Sequence, residues 1–159
     1  MDRFILYKPN GLLSRAHFAK LANHVNYINV MTYDYHFERF VGVAPFEWVR
    51  FNLEYVLSSS PGIASKILMG VNFYGYVNEQ NTMKAVTGKD YLEFLNSNWA
   101  ALEWNSVTKE HLLKTGNHGM CFYPTTVSLK ARLELADVLD VGIGIWELGQ
   151  GLNYFTCLL

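Results

Sequence analysis

Three apolar runs constrain this chain most: Val25 to Tyr33, Lys66 to Tyr74 and Val141 to Trp146. Each is too short for an ordinary helix and is either rich in Val, Ile and Tyr or marked by glycine, so each reads as a strand. The segments between them have a different period. Pro45 to Leu57 sets Phe46, Val49, Leu53 and Val56 at helical spacing, with Pro45 near the first turn, where a missing N–H costs nothing. Thr126 to Leu139 carries Leu129, Leu133, Leu135, Ala136 and Leu139 as one apolar stripe. Strand, helix, strand, helix, strand implies parallel pairing, because a parallel neighbour is reached only through a crossover.

Weaker signals fill the gaps. Phe4 to Tyr7 reads as a short strand ended by Pro9 and Gly11, and Ser14 has the chemistry to cap a helix running to about Asn23. Asp90 to Asn96 reads as a short helix. Runs broken by "NS", "TGNHG" and "YP" between about Trp99 and Tyr123 suggest small strands, and "GQGLNYFTCLL" is expected to start a closing helix.

Strand parity narrows the architecture. Asn29, Met31 and Tyr33 share one face of the first run, and Gly142, Gly144 and Trp146 share one face of the last. A face mixing Asn, Met, Tyr, Gly and Trp is not an oily sheet face. It fits the inside of a barrel, where large and small side chains interleave near the axis.

Composition excludes several function classes. The chain has 159 residues, 50% hydrophobic and 17% charged, the profile of one globular domain. Its net charge of -1, with no block of like charges, leaves no electrostatic footprint for nucleic acid or anionic membrane. No apolar run approaches the roughly 18 residues of a membrane span, and "MDRFILYKPNG" lacks the longer apolar core of a secretory signal. Cys121 and Cys157 are too few and too far apart for a zinc site or disulfide framework and read as two buried free thiols. His17, His24, His111 and His118 have no metal-binding spacing, so neither metal nor cofactor is expected. "GIGIWELGQG" is not a dinucleotide fingerprint, because Glu147 stands at its last glycine position and the glycines lie within the strand.

Three strand ends carry a resemblance. "MTYDYH" resembles the Met-x-Tyr-Asp signature on the sixth strand of glycoside hydrolase family 18, "KILMGVNFYGY" is similar to the Gly-x-x-x-Tyr-Gly strand that follows, and "GIGIWELGQG" resembles the eighth strand with its terminal Trp. Within the family, "FYPTTVSLKARLELA" and "GIWELGQGLNYF" are most similar to the stabilin-interacting chitinase-like branch. The resemblance implies an α/β fold, the C-terminal part of a (β/α)8 barrel from about strand 5 or 6 to strand 8. Residues 1–159 would form the partial barrel, with a small α+β insertion at 76–124 after the seventh strand. A complete barrel needs about 250 residues.

The resemblance also implies chemistry. Family members that hydrolyse chitin let the substrate's own N-acetyl group attack, while a Glu at the end of Asp-x-x-Asp-x-Asp-x-Glu protonates the leaving oxygen. The Asp residues here are Asp2, Asp34, Asp90, Asp137 and Asp140, none in that pattern, so the general acid is not expected in this chain. Tyr33 matches the tyrosine that holds the acetamido oxygen, and Asp34 the adjacent carboxylate that orients the site. Trp146 matches the aromatic floor beneath the central sugar. Met31 borders the site, and Asn72 and Tyr74 share its side of the seventh strand. Asn72 stands where many active members carry Pro, and Tyr76 where Arg is frequent. Each residue also has a plain structural alternative: a core tyrosine at 33, an ion pair or cap at 34, core packing at 146. His36 reads as solvated, Glu147 as structural, and Trp48, Trp99 and Trp104 remain unassigned.

The implied function is chitinase-like binding of N-acetylglucosamine-containing oligosaccharides without hydrolysis in this chain. The alternatives are a truncated copy of an active chitinase or N-acetylglucosaminidase using substrate-assisted hydrolysis, and a protein-partner module for a stabilin-type scavenger receptor. The family implies a secreted or lysosomal full-length form.

Overall fold

The computed structural model describes residues 13–35, 40–80, 82–97, 99–116 and 119–159. The expected strand at Phe4 to Tyr7, His36 and His118 lie outside the described residues.

Ser14 caps α1 (Arg15–Ala22) as its chemistry implies: the hydroxyl accepts from the His17 amide, and His17 Nδ1 accepts from the Ser14 amide at 3.0 Å. Phe18 and Ala22, one turn apart, are the buried face. The first apolar run becomes β1 (Ile28–Val30), shorter than its composition implies. The ladder stops where the Thr32 hydroxyl donates to the Gly70 carbonyl at 2.7 Å and the Thr32 amide turns back to Val30 at 2.8 Å. A local side-chain bond thus replaces the next backbone rung. α2 (Phe46–Leu57) follows from Pro45 and buries Val49, Leu53 and Val56, the spacing seen in the sequence.

β2 (Ile67–Asn72) is the centre of a parallel sheet. β1 lies on one side, with Ile28 opposite Ile67. The last apolar run, β8 (Gly142–Trp146), lies on the other, with Leu68 opposite Gly142 and Asn72 opposite Trp146. α4 (Thr126–Val138) leads into it, capped by Thr125, whose hydroxyl accepts from the Ser128 amide. One face of this sheet presents Ile67, Met69 and Val71 to the core, and all three are buried.

The other face alternates large and small. A Cβ on Gly144 would lie 2.5 Å from Asn29 Oδ1, and one on Gly70 would lie 2.8 Å from the Tyr33 ring and 2.5 Å from the Val30 carbonyl. Asn29 and Tyr33 therefore occupy space that only glycines on the neighbouring strands leave free. The parity reading of the sequence holds at these contacts.

Residues after β2 form a five-stranded antiparallel sheet. Its strands are β3 (Gly75–Glu79), β4 (Thr82–Val86), β5 (Trp99–Asn105), β6 (Glu110–Thr115) and β7 (Met120–Phe122), in the order β4-β3-β7-β6-β5. The small strands expected after Trp99 are present. The β3–β4 hairpin was not read from the sequence, because β4, "TMKAV", is exposed at four of five positions and lacks a clean apolar alternation. α3 (Gly88–Asn96) starts two residues earlier than expected, since Thr87 and Asp90 form a capping box. Those Thr87 donors hold the Asp90 carboxyl below its usual range.

Two expectations are corrected. The closing helix from "GQGLNYFTCLL" is instead a pair of 3-10 turns at Leu148–Gln150 and Asn153–Leu158. Two glycines within four residues, Gly149 and Gly151, weaken a regular helix there. Cys121 is buried, with its thiol pushed up to about 12 by desolvation, but Cys157 is exposed on the second of those turns. Among the described residues, no helix is long and apolar enough to cross a membrane.

Candidate functional site

The C-terminal ends of the three parallel strands bring together residues far apart in sequence. Beyond β1 the chain reaches Asp34, whose left-handed φ of 61° is a conformation that Asp tolerates better than most side chains. The bend continues until the Tyr35 amide donates to the Val43 carbonyl at 2.8 Å. The bend places the Asp34 carboxylate against β2 and β3. Its Oδ1 accepts from the hydroxyl of Tyr74, and from the hydroxyl of Tyr76 at 2.8 Å.

The rings around that carboxylate form a packed series. Tyr33 meets Tyr74 edge to face at 6.2 Å, and Tyr74 meets Tyr76 in the same manner at 5.6 Å. Burial, then the neighbouring Asp34 charge, pushes the Tyr33 phenol up from its ordinary value. At Tyr74, burial leads, followed by the hydrogen bond to Asp34. Both phenols are protonated at neutral pH. The Tyr74 hydroxyl is fixed as a donor to Asp34.

Asn72 is buried, and its amide donates to the Tyr74 carbonyl at 2.6 Å, which shapes the bend that aims Tyr74 at Asp34. Met31 is half-buried beside Gly70. Trp146 differs from all of these. It stands opposite Asn72 at the end of β8 with 55% of its surface exposed, and the peptide joining it to Glu147 is cis. Glu147 is exposed. The exposed tryptophan offers an apolar plate at the end of β8, one strand over from Asn72.

Of the residues singled out in the sequence, Tyr33, Asp34 and Tyr74 touch one another directly, Asn72 supports them, and Met31 and Trp146 border them. Tyr76 joins the cluster although no role was assigned to it. Its signal was available: Asn72, Tyr74 and Tyr76 share one parity through the bend from β2 into β3. Trp48 packs edge to face on Tyr35 at 5.4 Å. Trp99 and Trp104 lie on β5, at the edge of the antiparallel sheet farthest from β4. His17 caps α1, and His111 shares a 2.9 Å hydrogen bond with Thr125. Among the described residues, no three His, Cys, Asp or Glu side chains are grouped to hold a metal.

The family model described as "Glycosyl hydrolases family 18" matches residues 5–151. Among solved structures, a class V chitinase from Pseudomonas fluorescens Pf-5 superposes with a TM-score of 0.81 at 21% identity, covering 99% of this chain and 53% of that one. A chitinase from Chromobacterium violaceum ATCC 12472 gives 0.79 at 20% identity, over 89% of this chain and 46% of that one. A chitinase from Cycas revoluta, solved in complex with (GlcNAc)3, gives 0.74 at 14% identity, over 87% and 46%. The chain spans about half the length of these proteins, and at such identities the likeness is one of fold.

Proposed function

The chain belongs to the glycosyl hydrolases of family 18, and from that premise we propose that its strand-end cluster binds N-acetylated oligosaccharides without hydrolysing them. The observation that carries this reading is the juxtaposition of protonated Tyr33 and Tyr74, the Asp34 carboxylate and the exposed face of Trp146. A pyranose ring has an apolar C–H face and a rim of hydroxyls. Trp146 suits the face, while the Tyr33 hydroxyl suits the acetamido oxygen. Asp34 accepts from the hydroxyls of Tyr74 and Tyr76 and fixes their orientation.

The general acid of the family's substrate-assisted hydrolysis sits in a motif that this sequence does not contain. On this reading the chain is a chitinase-like lectin of the branch that includes chitinase domain-containing protein 1, and residues 76–124 are an insertion after the seventh strand of a barrel represented from strand 5 or 6 to strand 8. A secreted or lysosomal location and a stabilin-type receptor partner belong to the same proposal.

One observation favours a second reading. Because the chain spans about half the length of the chitinases it superposes on, the same cluster would serve an active chitinase once a polypeptide carrying the Glu completes the barrel. Titration calorimetry with chitotetraose, together with turnover of a chromogenic chitobioside, separates the two. Binding without turnover supports the lectin, turnover supports the hydrolase, and the absence of heat at millimolar sugar would overturn both.

A further inference from the structure

A second concavity lies away from the Asp34 cluster, between α3 and the turns that follow β8. It is an open cleft of about 580 Å³, within the range of small-molecule sites. Two apolar surfaces line it, Leu92 and Tyr154, which are 45% and 52% exposed. The lining also includes the exposed side chains of Asn96 and Asn153, whose amides take part in no hydrogen bond with another described residue and are open to a ligand. Gly149, also in the lining, leaves open backbone where a side chain would stand.

The walls are held in fixed relation. Tyr91 of α3 stacks on Tyr123 at 4.6 Å and 16°, and the Tyr123 hydroxyl donates to the Gln150 carbonyl at 2.8 Å. A Cβ on Gly88 would lie 3.0 Å from Leu152 and 3.1 Å from the Gly151 carbonyl, so the start of α3 is seated directly on the opposite wall. Tyr154 is propped edge to face on the buried Phe155 at 5.2 Å. A cleft braced in this way is preformed, which limits the ordering cost of binding.

The lining selects a class of ligand. Among the described lining residues, the one cation, Lys89, lies 3.9 Å from the one anion, Glu93, so their charges balance. A flat aromatic ring, an aliphatic side chain and two unengaged amides match a neutral polyhydroxylated ring, with the ring on Tyr154 and its hydroxyls on Asn96 and Asn153. We infer that the cleft between α3 and the Leu148–Leu158 turns is a second carbohydrate site, which takes a neutral pyranoside by stacking on Tyr154. Its lining shares no residue with the Trp146 cluster, although its Leu148–Gln150 wall follows directly from the end of β8.

Photoaffinity labelling of the intact protein tests this, with diazirine-tagged chitotetraose and diazirine-tagged cellotetraose as probes and residue-level assignment by fragmentation mass spectrometry. Labelling by either probe within residues 88–96 or 148–154 is expected. It should fall at least about tenfold in Tyr154→Ala, by loss of stacking, should fall in Asn96→Ala, and should persist in Trp146→Ala. Label near Trp146 that vanishes only in Trp146→Ala reports the other site, so either site can fail alone. The inference is overturned if neither probe labels the cleft at millimolar concentration, or if Tyr154→Ala leaves that label undiminished.

Discussion

Trp146 and Tyr74 divide the work of the strand-end cluster between surface and direction. Because Trp146 is more than half exposed, Trp146→Ala is expected to weaken chitotetraose binding by about tenfold or more while leaving the thermal midpoint nearly unchanged. Calorimetry and thermal unfolding of the same sample check both halves. Tyr74→Phe removes one of two phenol donors from the half-buried Asp34 carboxylate but keeps the ring series. It should cost roughly 1–3 kcal/mol of stability as well as affinity, measured by chemical denaturation. Gly144 makes a sharper case, since any Cβ there collides with Asn29. The atoms met are the end of an exposed side chain that can swing aside. Gly144→Ala should therefore destabilise by only about 1 kcal/mol or less, and adding Asn29→Ala should return that loss, a coupling that a double-mutant cycle reads directly.

At the level of elements, the antiparallel sheet is tied to the parallel one by buried charge as well as by β3. The guanidinium of Arg132 on α4 donates to the carbonyls of Lys109 and Ser128 at 2.9 and 2.8 Å and also reaches those of Ala44 and Thr108. Glu110 on β6 accepts from the amides of Val43 and Ala44 at 3.0 and 3.2 Å. Burial pushes Glu110 up and Arg132 down, and each partially offsets the other. Arg132→Leu strips four carbonyls of a donor and leaves Glu110 without that offset, so a loss of roughly 3–5 kcal/mol is expected in denaturant unfolding. The cap of α3 responds to pH. The native Asp90 pKa is depressed below 3.8, so its contribution is present above that value and is lost as pH falls through the lower native one. Hydrogen exchange along α3 should accelerate in that acid window, and Asp90→Asn should flatten the response.

For the whole molecule, the parallel sheet presents the problem. In the order β1-β2-β8, both outer strands have one ladder edge without a strand partner among the described residues. On β8, Gly142 and Trp146, at the two ends of one face, are exposed. Parallel sheets are normally covered on both faces, and open edges recruit further strands. The isolated 159-residue chain is therefore expected to associate, with an apparent mass in size-exclusion chromatography that rises with concentration. A single monomeric species with a sharp cooperative transition would contradict this.

Much of this was legible from residues alone. Apolar period and cap chemistry located α1, α2, α4, β2 and β8, because burial of one face and satisfaction of helix ends are local demands. Parity placed Asn29, Tyr33 and Gly144 on the same side, and the strand-end signatures singled out Tyr33, Asp34, Tyr74 and Trp146. Other features arise only between distant segments. The early end of β1 depends on the Gly70 carbonyl, 38 residues from Thr32. The β3–β4 hairpin is held by pairing with β7 rather than by its own polar strand. The convergence of Tyr74 and Tyr76 on Asp34, and the cleft braced by Tyr123, join residues 27 to 42 positions apart. Sequence determines what each segment must bury or satisfy, whereas tertiary structure decides which distant partner does so, because that choice depends on the path of the whole chain.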